Sequence, residues 1–169
     1  MRWIPLLLIF SSSLLLGTYF FTTVKEFTDR RFYLVCLLYL TFLGIILFTP
    51  ISFTGTEVYI MPAGIGSVNL HKLEIFELGF VENIILTIPL GFLIKKLFPS
   101  ISIISMALLG FVIGGGIETT QYYLSHLYLI NRSSDINDVI ANGIGIVIGS
   151  ILMVAYGYIF NRNRKLSKI

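Results

Sequence analysis

Five stretches of roughly twenty residues run almost without charge, and that repeated length constrains this chain more than any motif it carries. A hydrocarbon layer about 30 Å thick is crossed by about 20 apolar residues rising 1.5 Å each. Inside that layer every peptide N–H and C=O must be bonded within its own segment, so such stretches become helices. Composition agrees: 56% of the 169 residues are apolar and only 12% charged, against about 25% charged in a soluble domain. The sequence therefore predicts an all-α integral membrane protein. It would be a single membrane domain over residues 1–169, a bundle of five transmembrane helices (four if the first is cleaved) with a short extracytoplasmic loop region.

The predicted spans cover about residues 3–23, 32–48, 78–97, 101–124 and 138–160. Arg2 ahead of an apolar core also fits a secretory signal, but the run is long and ends in no Ala-x-Ala site, so a retained helix is expected. With the charged turn at 25–31 it makes an additional N-terminal element. Pro50 closes the second span. Residues 51–77 change character: Gly55, Pro62, Gly64 and Gly66 punctuate them and charges interrupt them. They read as an ordered non-spanning loop, with short strands at 51–53 and 58–60. Leu70, Leu73 and Phe76 recur at the spacing of a short interfacial helix. Residues 125–137 read as a polar connection, with His126 a loop histidine lacking any zinc partner. Cys36 has no second cysteine to pair with.

Charge sets the orientation. With five spans, one side receives Lys25, Arg30, Arg31, Lys95, Lys96, Arg162, Arg164, Lys165 and Lys168, and the other only Arg2, Lys72 and Arg132. The excess of basic residues marks the cytoplasmic side, so the N-terminus is expected outside and the C-terminus in the cytoplasm. Acids do not set orientation, yet most fall towards the outer side: Glu57, Glu74, Glu77, Glu82, Glu118, Asp135 and Asp138.

This threading brings chemistry to one level. Glu82 and Asn83 begin the third span, Glu118 and Gln121 end the fourth, and Asp138 and Asn142 begin the fifth, with Arg132 and Asp135 in the connection between the last two. Gly110, Gly114, Glu118 and Gln121 form one stripe of the fourth span. Asp138, Asn142, Gly145 and Gly149 form one stripe of the fifth. Glycine stripes let membrane helices approach closely. Spans four and five are thus expected to touch through glycine in their inner halves and to enclose a polar pocket in their outer halves. A charge at mid-helix costs roughly 2.5–3.5 kcal/mol, and Arg132 is the permanent cation on offer to Glu118, Asp135 or Asp138. Pro89 removes a helical hydrogen bond in the third span and is expected to bend it.

These residues resemble the VanZ-like family of bacterial membrane proteins. The likeness runs over about residues 69–149, read as a VanZ-like core. It includes Asn83 followed by Pro89-Leu90-Gly91-Phe92, then Ile117-Glu118-x-x-Gln121. It continues through Arg132-Ser133-x-Asp135-Ile136-Asn137-Asp138-Val139-Ile140 and Asn142-Gly143-x-Gly145. The resemblance implies a helical bundle in the bacterial plasma membrane. The family's naming member is associated with resistance to the glycopeptide teicoplanin, and others with lipoglycopeptides. The positions it carries over are Asn83, Pro89, Gly91, Glu118, Gln121, Arg132, Asp135, Asp138, Asn142 and Gly145. Relative to the naming member this chain has an additional first span and lacks a long region after the fifth.

Three functions follow as expectations. The first is binding of a polar or anionic head group, from a membrane lipid or a lipid-linked envelope precursor, by Glu82, Asn83, Glu118, Gln121, Arg132, Asp135, Asp138 and Asn142, with a glycopeptide antibiotic as a further partner. The second is an intramembrane enzyme acting on a lipid-linked precursor, with Glu118 and Asp138 as acid and base and Arg132 stabilising an anion. The third is a structural or assembly role. No cofactor or nucleic-acid partner is expected, and a divalent cation on the carboxylates is a minor alternative.

Overall fold

In the computed structural model, which describes residues 1–53 and 56–166, the described residues form five helices long and apolar enough to cross a membrane. They are α1 (Ile4–Thr23), α2 (Phe27–Phe48), α3 (Leu78–Leu97), α4 (Ile103–Tyr128) and α5 (Ile136–Leu166). Short strands β1 (Ile51–Phe53), β2 (Val58–Ile60), β3 (Val68–Asn69) and β4 (Ser134–Asp135) lie between them. The helix ends follow local chemistry. Proline stands at the start of α1, where its missing N–H costs nothing. Lys95 and Lys96 occupy the last turn of α3, the end whose exposed carbonyls favour cations, and the Lys95 ammonium donates to Pro99 O at 2.7 Å. Pro89 lies within α3 without ending it.

Four details depart from the sequence reading. The charged turn at 25–31 is mostly helix, because α2 starts at Phe27; there Arg30 lies over the Phe21 and Phe27 rings at 5.1 and 5.8 Å. Helix α4 runs on to Tyr128, so His126 is helical and not in a loop, its Nδ1 2.8 Å from Tyr122 O. The residues before α3 form turns and bends in place of an interfacial helix. Their backbone is bonded elsewhere, Glu74 N donating to Asn137 Oδ1 at 2.9 Å and Asn137 Nδ2 donating to Lys72 O at 2.9 Å. The expected basic tail is helical backbone as far as Leu166; Gly55 and residues 167–169 lie outside the described residues.

The sequence suggests one domain without a linker. The contacts gather into two compact units, Met1–Asn69 with Thr119–Ser134, and Leu70–Glu118 with Asp135–Ile169. In the first unit α1 and α2 run antiparallel. Gly17 meets a methyl of Leu37, Gly44 meets the Ile9 side chain, and the Ser13 and Thr41 hydroxyls bond at 2.7 Å. The predicted strands β1 and β2 pair antiparallel, with Ile51 opposite Ile60. Arg2 donates to Met61 O. Gly64 bridges to Ile130, and Gly66 N donates to Asn131 Oδ1 at 3.1 Å. Gly66 has φ +70°, and a Cβ there would collide with the Arg132 carbonyl.

In the second unit α3 runs parallel to α5 and the first part of α4 runs antiparallel to it. Gly110 lies against Gly143 and Ile146, and Gly114 against Val139 and Asn142, so α4 and α5 touch through the expected α4 glycines. The two glycines of the expected α5 stripe behave differently. Gly145 faces Ile84 and Thr87, and Gly149 faces Ile88 and Phe92, so both abut α3 and not α4. Gly91 of α3 returns the contact, against the Ile146 backbone. The reason is angular. At 100° per residue, Asp138, Gly145 and Gly149 lie on the α3 side and Val139 and Gly143 on the α4 side, while Asn142 and Ile146 lie between and touch both. Ser150 Oγ, fully buried, bonds Ile146 O at 2.7 Å, with Gly91 O at 3.4 Å.

Candidate functional site: a carboxylate and amide cluster

Within the second unit, the start of α5 collects most of the polar residues singled out in the sequence. Asp135 immediately precedes α5, and its Oδ1 accepts from Asn137 N at 2.8 Å and from Asn137 Nδ2 at 2.7 Å. This is the bonding of a helix N-cap, which satisfies one of the orphan N–H groups of the first turn. Asp135 N in turn donates to Glu118 Oε2 at 2.9 Å. Glu118 projects from α4 and is only 7% exposed. Asp138 hydrogen-bonds the Asn83 side chain from α3, and Asp135 and Glu77 lie close enough to act on it electrostatically. Asp135 and Asp138 act on Glu118 in the same way. Three helices therefore converge on one group of acids and one amide.

Asn142 lies one turn farther along α5 and is fully buried. Thr87 Oγ1 donates to its backbone O at 3.1 Å, while its side-chain Oδ1 and Nδ2 have no hydrogen-bond partner. Glu82 is half-buried on α3 next to Asn83, about 100° round the helix from it. Among the described residues no three of His, Cys, Asp and Glu are placed to hold a metal ion.

Arg132 and Gln121 belong to the first unit and are bonded there. The sequence offered Arg132 three carboxylates; the structure gives its guanidinium two carbonyls. Its Nε donates to Thr49 O at 3.0 Å and a terminal nitrogen to Ile51 O, just past the C-terminal end of α2. Its backbone N donates to Ser125 Oγ at 2.8 Å, and that hydroxyl donates to Arg132 O at 2.9 Å. Burial pulls the guanidinium pKa below its usual value, against an opposing influence of Tyr59. Arg132 thus fastens the 129–132 segment to the end of α2. Gln121 Nε2 donates to Leu47 O at 3.0 Å, leaving a buried Oε1 without a partner.

Sequence reasoning missed Asn137, Ser125 and Thr87 as organising residues. An acid two residues ahead of an asparagine at a predicted helix start is a capping signature and could have marked Asn137. Ser125 and Thr87 carry no comparable signal, since their partners lie far away in sequence.

No curated protein and no solved structure matches this chain. The family model described as VanZ/LLP1 matches residues 31–160. That match takes in the second span as well as the carboxylate cluster and covers about three-quarters of the sequence, so the chain belongs to the VanZ/LLP1 family.

Proposed function

We propose that this VanZ-like polytopic membrane protein binds the polar head group of an envelope lipid at Glu118, Asp135, Asp138 and Asn83. The observation that carries the reading is the gathering of the Glu118, Asp135 and Asp138 carboxylates, one of them bonded to the Asn83 amide, from α4, the start of α5 and α3. Acceptors dominate that group, and Arg132 is engaged with the Thr49 and Ile51 carbonyls. A head group bearing hydroxyl or ammonium donors fits it better than an anionic one. The distribution of basic residues supports a cluster facing outward from the bacterial plasma membrane, with the N-terminus outside and the C-terminus in the cytoplasm. A contribution to teicoplanin or lipoglycopeptide resistance would follow from altered handling of envelope lipids.

The test is native mass spectrometry of the purified chain offered phosphatidylethanolamine or phosphatidylglycerol. The aminated lipid should be retained preferentially, and Asp138→Asn should weaken it by about tenfold, the loss of one charge-assisted bond. Equal retention of both lipids, unchanged in the variant, would reject the reading.

A second reading, an enzyme acting on a lipid-linked precursor, is favoured by the unequal surroundings of the acids. Glu118 is nearly closed off while Asp138 is half-buried, and such inequality separates acid from base. It requires a product formed by purified protein, and turnover lost in Glu118→Gln with folding intact. A purely structural role predicts lower folded yield in both carboxylate variants and no lipid preference.

A further inference from the structure

The head-group reading leaves Asn142 unused. Its carboxamide is fully buried, and neither polar atom has a partner. Buried polar groups in native proteins are almost always satisfied, and an exception points to a bound water or ion. The geometry around it is specific. Asn142 Cβ lies against Gly114, one turn before Glu118 on α4. Asp138 lies one turn before Asn142 on α5. Helical side chains lean towards their own N-terminus. Because α4 and α5 are antiparallel, Glu118 leans towards the level of Gly114 and Asn142 leans towards Asp138.

An occupant of this point must be small, since Asn142 is fully buried and Glu118 is 7% exposed. It must supply a partner for the amide oxygen and offset the acids, which also include Asp135 and Glu77 at longer range. Water does only the first. Calcium takes about six to eight oxygen ligands, more than two carboxylates and one amide supply, and no three acidic, His or Cys residues among those described are placed to hold a metal ion. We infer that Asn142 Oδ1, together with the Asp138 and Glu118 carboxylates, holds a partly dehydrated monovalent cation, sodium by size. This site shares Glu118 and Asp138 with the proposed head-group site and adds Asn142, one turn farther along α5.

The experiment is thermal unfolding of the full chain in uncharged detergent, comparing sodium chloride with N-methyl-D-glucamine chloride at one ionic strength. Sodium should raise the unfolding temperature saturably, by roughly 5 °C or more at a hundredfold excess over Kd. The rise should vanish in Glu118→Gln and in Asn142→Leu. If Asn142→Leu fails to fold, Asp138→Asn replaces it. Equal unfolding temperatures in the two salts, or a sodium response intact in Glu118→Gln, would overturn the site. No lipid is varied, so failure here is separate from failure of the head-group reading.

Discussion

The α1–α2 pair and the α3–α5 pair both bring apolar helices together at glycine, yet the glycines do different things. In α1–α2, a Cβ built on Gly17 would meet Leu37 at 3.5 Å and one on Gly44 would meet Ile9 at 3.6 Å, ordinary contacts with side-chain tips. In α3–α5, a Cβ on Gly91 would collide with the Ile146 carbonyl and one on Gly149 with the Ile88 carbonyl. A side-chain tip can move aside; a helix backbone cannot. Glycine content alone therefore says little about a membrane-helix contact. What matters is whether partner backbone occupies the space a side chain would need, because lipid supplies no hydrophobic drive and close packing must replace it.

The strongest test of this contrast is Gly91→Ala or Gly149→Ala. Each should destabilise the protein by about 1–3 kcal/mol or more through overpacking, seen as earlier unfolding on titration with sodium dodecyl sulfate. Wild-type unfolding would mean that the backbones are not in contact. Thr87→Val comes next, removing the bond to Asn142 O between the same two helices; a loss of about 0.5–1.5 kcal/mol is expected in that titration. Ser13→Ala breaks the matching α1–α2 hydroxyl bond to Thr41 and should cost about 0.6 kcal/mol or less. Gly17→Ala and Gly44→Ala should lie within about 0.5 kcal/mol of wild type. An effect there as large as at Gly91 would erase the distinction between the two pairs.

Helix length and hydropathy were legible because the bilayer dictates both. The third span was read at the residues of α3, Leu78–Leu97, and the strands at 51–53 and 58–60 appear as read. The meeting of Asn83, Glu118 and Asp138 was also legible, since alternating helices bring their ends to one level. Rotation about the helix axis was not. Gly145 and Gly149 form a stripe in the sequence, but a stripe does not say which neighbour it faces, and here it faces α3. The partner of Arg132 was equally hidden. A carboxylate is the obvious choice for a cation, whereas the carbonyls of Thr49 and Ile51 look like any others in a sequence.

Asn137 has a consequence of its own. Its carboxamide accepts from Glu74 N and donates to Lys72 O, the two-point pattern with which one residue of a parallel neighbouring strand would address residues two apart. One side chain thus serves as a one-residue strand, stitching an otherwise irregular stretch to the cap of α5. Any shift of that cap is handed directly to the chain leading into α3, so the two approaches to the acid cluster move as one piece.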